Sequence, residues 1–386
     1  MHLAPTEEQQ AIQSAARTFL TREITRERWQ AWATLPDGYD RDFWSSAAAL
    51  GWFGYGVPAR DGGEGASLLE VGLLMEECGR AAAPLAIFGA VVGGLAVAGM
   101  GNPRQRRAWL PRLVSGEIQA ALAVAEAEAE HNPRAFATRA RRTRSGYRLS
   151  GEKRYVLQAA TADVLVVAAR DGMGISVFLV PKEASGIHVQ PTATFGGDRQ
   201  SVVTFDGVDL SPGALLGRRA QGWRALEPIQ HQATALLCAD MLGGMTAVLE
   251  MTARYASERT QFGVKIGTFQ AVQNMAAEMA IATEGARHVV YQALARLSAG
   301  RPARRELAIA RAWIARSYPA ITLLAHQIHG GAGYVVEHEL HRYSSRAKAT
   351  AIMLGTADHW LDVLAEELRL DGTPPPPARA RATGRR

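Results

Sequence analysis

The chain reads as an α+β protein, mainly α. An N-terminal helical domain spans residues 1–120, a small β-barrel spans 121–217, a C-terminal four-helix bundle spans 218–371, and a disordered Pro/Arg tail spans 372–386. Three observations predict this order. The first third carries apolar residues at helical spacing. The middle third carries short β-branched runs separated by turn dipeptides. The last third carries four long apolar stripes, the pattern of helices that bury one face against each other.

In chain order, Thr6 before Glu7, Glu8 and Gln9 reads as a capped helix start, because the hydroxyl accepts an orphan backbone N–H. Asp61-Gly-Gly-Glu-Gly65 is a loop, and Gly101-Asn-Pro103 ends another helix. The strand runs are Tyr147–Gly151, Val164–Ala168, Ile175–Val180 and Ser201–Phe205; Asp171-Gly172, Gly196-Gly197 and Asp206-Gly207 read as turns between them. The bundle stripes run along Leu237–Tyr255, Phe269–Leu297, Leu307–Ile328 and Ala347–Leu368. No internal repeat is present.

The bulk numbers exclude several function classes. An apolar content of 47% and a charged content of 21% describe an ordinary globular chain. The net charge of +6 looks basic, but Arg379, Arg381, Arg385 and Arg386 all lie in the tail, so the body offers no nucleic-acid face. Pro374–Pro377 should keep that tail extended. Cys78 and Cys238 make no disulfide framework. The amino terminus has no basic-then-apolar signal pattern, so a cytoplasmic, reducing location is expected. Ala81–Met100 is long and uncharged, yet rich in Ala and Gly and broken by Pro84; it reads as a buried helix rather than a membrane span.

Two segments carry the functional signal. One is Tyr255-Ala-Ser-Glu-Arg-Thr-Gln-Phe-Gly-Val-Lys-Ile-Gly-Thr-Phe-Gln-Ala-Val-Gln273, the other Gln327-Ile-His-Gly-Gly-Ala-Gly-Tyr334. A dinucleotide needs cations and N–H donors at its pyrophosphate and close backbone approach elsewhere, which Arg and Gly supply. In sequence and order these segments resemble the flavin-binding elements of the acyl-CoA dehydrogenase family. The resemblance covers about residues 5–370 and implies FAD as cofactor and an acyl-CoA as substrate. It implies that Arg259 and Phe262, in the Gln261-Phe262-Gly263 turn, contact the FAD of a neighbouring subunit. Gln270 would help from the next helix, and Gln327, Gly330 and Gly331 would run along the adenosine side. It therefore implies a dimer at least, formed with itself or with a second acyl-CoA dehydrogenase subunit, and an electron-transfer flavoprotein as a possible acceptor.

The family's catalytic pattern is interrupted. The glutamate that removes the substrate's α-proton stands before a Gly-Thr pair, where this chain has Leu354-Gly355-Thr356. The family's second base location falls at Ala233, with Thr234 in place of an arginine. Neither Leu354 nor Ala233 accepts a proton. The flavin loop Thr-Glu-Pro-Gly-Ala-Gly-Ser-Asp appears as Ala125-Glu-Ala-Glu-Ala-Glu-His-Asn132, where Glu128 and Glu130 would repel an anionic cofactor. Tyr155 is the plausible ring-side aromatic, Leu157 replaces a threonine, and Thr356 is a further ring-side candidate.

The features kept are those that serve another subunit's flavin. The chain thus resembles the non-catalytic subunit of a heteromeric acyl-CoA dehydrogenase. Two other readings compete. One is a self-sufficient FAD enzyme with a displaced base (Glu227, His231 or Asp240) or with desulfinase-like or monooxygenase chemistry; the other is a purely structural subunit. His326, His329, His338 and His341 lack the His-Glu-x-x-His spacing of a metal site and read as structural.

Overall fold

The computed structural model describes residues 6–127 and 135–370. Glu128, Glu130 and the tail at 372–386 lie outside the described residues.

Six helices come first: α1 (Glu7–Glu23), α2 (Arg26–Thr34), α3 (Arg41–Ala49), α4 (Leu68–Arg80), α5 (Ala86–Met100) and α6 (Pro103–Val114). Thr6 caps α1 in a full capping box with Gln9, as the sequence predicts, and Asn102 does the same for α6 with Gln105. The uncharged stretch is shorter as a helix than as a sequence, because Pro84 confines it to Ala86–Met100. Gly93 lets α5 lie directly on the first strand: a Cβ there would sit 2.7 Å from the Ala120 carbonyl oxygen.

The β domain is one eight-stranded sheet in the order β6-β7-β3-β2-β4-β5-β8, with β1 paired parallel to β4. Its strands are β1 (Ala120–Ala123), β2 (Arg139–Arg142), β3 (Tyr147–Leu157), β4 (Val164–Arg170), β5 (Ile175–Pro181), β6 (Ile187–Thr192), β7 (Gln200–Leu210) and β8 (Leu215–Leu216). The continuous apolar run of β4 reflects burial on both faces. Val164, Val166 and Ala168 join the helical core, while Leu165, Val167 and Ala169 join a separate β core with Phe178 and Val203. Sheet and helices therefore share an apolar seam.

One turn reading needs correction. Asp206-Gly207 is not a turn between strands but a bulge inside β7: the register against β3 shifts there, and Gly207 takes φ 64. The polar or short strands β1, β2, β6 and β8 also escape the apolar-run test.

The C-terminal region contains α7 (Gly222–Glu258), α8 (Gln270–Ser298), α9 (Arg304–His329), α10 (Leu340–Ile352) and α11 (Ala357–Glu367). A hairpin, β9 (Thr260–Gln261) with β10 (Val264–Lys265), joins α7 to α8. The fourth bundle helix is in fact two. Leu354 (φ 53) and Gly355 (φ 101) leave the right-handed helical region, and Thr356 then caps α11 by accepting the His359 N–H. Helix α7 is the one described helix long and apolar enough to cross a membrane, but 72% of its apolar window is buried inside the protein, as expected of a core helix. It crosses α4 so closely that a Cβ on Gly79 would fall 1.7 Å from the Asp240 carbonyl oxygen.

Candidate functional site

A cavity of about 300 Å³ opens where α5, β1, β3, α7 and the α10–α11 break converge. Its lining includes Phe88, Val92, Leu122 and Met353, and also Tyr155, Leu157, Ala233, Leu354 and Thr356. The two family base positions and the ring-side candidates, scattered over the sequence, thus meet around one space. Among the described residues its lining holds no Asp, Glu or His; the polar groups are Arg154, Tyr155, Gln200, Gln230 and Thr356. Arg154 pairs with Glu152 through its Nε at 2.7 Å, with both side chains largely exposed.

Local backbone aims these side chains. The β3 register slips by one residue against β7 between Lys153 and Val156, and Tyr155 sits in this bulge with φ 56. The bulge re-aims Tyr155 toward the cavity mouth, where it is 57% exposed. Leu354 is held by two buried donors. Arg311, wholly buried, donates from Nη2 to the Thr350 carbonyl (2.6 Å), to that of Met353 and to that of Gly355 (3.1 Å). Trp360 Nε1 donates to the Leu354 carbonyl at 2.9 Å. A left-handed backbone is unfavourable for leucine because it crowds Cβ against a carbonyl oxygen, and this clamp offsets that cost. Sequence reasoning missed Arg311, although an arginine inside the Leu307–Ile314 apolar stripe was the available signal.

Of the displaced-base candidates, Asp240 is committed to Arg346, whose Nη2 donates at 2.5 Å and Nε at 3.0 Å to a carboxylate only 1% exposed. Glu227 and His231 line a second cavity of about 120 Å³ with Trp223, Arg304, His359 and Trp360. They do not line the first. Gln230 and Leu354 face both spaces and form the partition between them. Burial lowers the pKa of His231, against the opposing pull of Glu227, and lowers that of His359 as well, favouring neutral imidazoles.

The start of the altered flavin loop is anchored. Glu126 accepts from the Ala137 N–H (2.6 Å), the Thr138 N–H (3.2 Å) and the buried Lys153 Nζ (2.7 Å). Burial pushes the Glu126 carboxyl up, but Lys153 and these N–H groups outweigh it and leave it lowered. Burial pulls the Lys153 ammonium down to about 8. Glu126 thus ties the end of β1 to the start of β2, on either side of the loop, and to Lys153 of β3.

The other predicted residues form a separate, outward-facing group. Arg259 caps α7, Gln261 and Phe262 lie on the β9–β10 hairpin, and Gln270 opens α8. All four are exposed, Phe262 by 92% and with φ 54. Gln327 lies in the last turn of α9, followed by exposed Gly330 and Gly331. The two motifs touch: Tyr255 stacks on His329 (4.4 Å, 22°), and its hydroxyl donates to the His329 carbonyl at 3.4 Å. Behind this loop, His326 stacks on Tyr334 and His329 meets His338 edge-on. Among the described residues no group of three or more His, Cys, Asp or Glu side chains converges as a metal site would require. An exposed arginine, an exposed phenylalanine and a run of open backbone suit the anionic and planar parts of a dinucleotide approaching from outside the chain.

Comparison with known proteins gives the same order of three domains. The acyl-CoA dehydrogenase N-terminal, middle and C-terminal domain models match residues 6–117, 121–208 and 220–369. The acyl-CoA dehydrogenase FadE28 of Mycobacterium tuberculosis is 30% identical over 378 residues, covering 96% of this chain and 100% of that protein. Among solved structures, the ChsE4-ChsE5 complex of Mycobacterium tuberculosis superposes with a TM-score of 0.89 at 29% identity, over 97% of this chain and 100% of that one. PigA, solved with FAD and proline, gives 0.91 at 25% identity over 96% and 100%. With full-length coverage by a relative and all three domain models in order, the chain belongs to the acyl-CoA dehydrogenase family.

Proposed function

We propose that this chain is the subunit without a catalytic base in a heteromeric, FAD-dependent acyl-CoA dehydrogenase. The carrying observation is the cavity itself: both base positions, Leu354 and Ala233, line it, and no described residue there can accept a proton from a substrate α-carbon. In α,β-dehydrogenation the α-proton leaves to a base while the β-hydrogen leaves with its electron pair, forming a carbon–carbon double bond. FAD, when bound, takes that hydride; the protein orients the reactants and supplies the base.

In this reading the chain's own residues bind and position rather than move protons. The Arg259 guanidinium offers charge-assisted hydrogen bonds to the pyrophosphate of a flavin held mainly by the partner subunit. Phe262 lays an apolar face on the same molecule, and the Gln327–Gly331 turn presents backbone to its adenosine side. The two-chain neighbours support the heteromer: besides the ChsE4-ChsE5 complex, the Tcur3481-Tcur3483 steroid ACAD superposes with a TM-score of 0.87 at 31% identity. We take an electron-transfer flavoprotein as the electron acceptor.

The test is coexpression with a homologue that carries the glutamate. The two should copurify, and changing the homologue's glutamate to glutamine should abolish dehydrogenation of an acyl-CoA. Dehydrogenation by this chain alone would overturn the reading.

A further inference from the structure

Between Arg139 and Gly151 the chain carries five arginines and no acid. They fall on the β2–β3 hairpin, at the start of β3, whose other end lines the cavity. Arg139, Arg141, Arg142 and Arg144 are exposed, and their guanidinium groups form no hydrogen bond or ion pair among the described residues. Arg148 alone is matched, by Asp209 of β7 at 2.8 and 2.9 Å. The strand period sets the faces. Ala140 and Leu149 pair across the ladder and join the β core. Arg139 and Arg141 therefore point outward, with Arg148 directly opposite Arg141. Like charges directly opposite each other destabilise a sheet. Among the described residues no acid pairs with Arg141, so the free hairpin bears this cost, and an anion over the face would offset it.

The same hairpin has an open edge. β2 meets β4 at a single pair, Arg139 with Arg170, where β4 ends. Among the described residues no strand pairs with that edge of Ala140–Arg142. An unpaired edge is a template for another strand. Alternate side chains of an added strand would lie on the face of Arg139 and Arg141. Guanidinium forks match carboxylates in charge and in shape. The apolar side chains of the hairpin, Ala140, Tyr147 and Leu149, are buried. It thus offers neither a stacking surface for nucleic-acid bases nor an apolar wedge for a lipid surface.

We propose that the β2–β3 hairpin is a docking surface for an extended acidic segment of a partner protein. That segment adds as a strand to the open edge of β2 and is held by Arg139, Arg141, Arg142 and Arg144. The hairpin shares no residue with the cavity or with the outward group around Arg259, so this docking does not depend on how the chain serves a flavin.

The test is fluorescence anisotropy of labelled decapeptides titrated with the full chain. A peptide of alternating Glu and Thr should bind, more weakly as salt rises. A peptide of alternating Glu and Pro has the same charge but pairs poorly as a strand. It should bind about tenfold more weakly, the worth of one net hydrogen bond. Arg139→Thr combined with Arg141→Thr should weaken the Glu–Thr peptide about tenfold, through two exposed ion pairs. The same variant should melt no lower than the wild type, because it removes the repulsion with Arg148. No binding of the Glu–Thr peptide, equal binding of the two peptides, or an affinity untouched by the double variant would overturn the proposal. A variant that melts several degrees lower, or does not fold, would make these arginines structural and overturn it too. So would tighter binding of oligothymidylate or of phosphatidylglycerol vesicles that is lost in the variant, which would assign the patch to a nucleic acid or a membrane.

Discussion

Replacing Arg259 and Phe262 with alanine should weaken flavin binding by the assembled complex without unfolding this chain. Neither side chain has a structural duty within the chain. Arg259 is exposed and forms no ion pair among the described residues, and Phe262 is 92% exposed with Phe269 as its ring neighbour at 6.3 Å. Surface changes of this kind leave stability within about 0.5 kcal/mol. Their contribution should appear only when a flavin stands against them. Loss of a hydrogen bond from a charged donor costs about 1.5–3 kcal/mol, which corresponds to roughly ten- to more than hundredfold in dissociation constant. Loss of the ring contact adds up to about 1.5–3 kcal/mol if the cofactor fully covers it. The assay is flavin fluorescence during titration of FAD into the deflavinated complex, with a thermal melt of each variant alongside. Unchanged FAD affinity in Arg259→Ala and in the double variant, with both proteins folded, would refute the claim that this outward group serves a flavin.

Other predictions follow from the interior. Arg346→Met should destabilise the chain by about 3–5 kcal/mol, because it strands the Asp240 carboxylate in a buried site; urea unfolding measures it. Gly79→Ala should cost about 1–3 kcal/mol or more, since its Cβ would meet the α7 backbone at 1.7 Å, again read by urea unfolding. Acid should loosen the turn behind Gly330. Burial lowers the pKa of His326, His329 and His338 from the model-peptide value of 6.5, so below that value the unfolded chain binds more protons than the folded one. Their contribution to stability is therefore complete above pH 6.5 and is lost as the pH falls from there; His338→Gln should flatten this part of a melting-temperature profile against pH.

The sequence carried the architecture because its signals are periodic. The Leu237–Tyr255 stripe and the β4 run appear in the structure as buried faces. Signals that depend on one residue's backbone were illegible. Nothing in the composition around Leu354 announces a left-handed break, because the donors that hold it, Arg311 and Trp360, are remote or in the next helix. Asp206-Gly207 has the chemistry of a turn, yet its pairing with β3 makes it a bulge. Glycine at the second position serves either outcome. At the site, motif spacing brought Arg259, Gln327 and their neighbours forward as candidates, and the fold sets Tyr255 of one motif against His329 of the other. The spacing gave no hint that Gln230 divides two cavities, because that role arises only where α7 passes the α10–α11 break.

The most direct measurement is the FAD content of this chain purified alone and then with a glutamate-bearing homologue, from the visible spectrum after unfolding. The subunit reading predicts little or no flavin on the chain alone and about one flavin per pair in the complex. About one flavin per isolated chain would contradict it, because the chain would then hold a complete flavin site of its own.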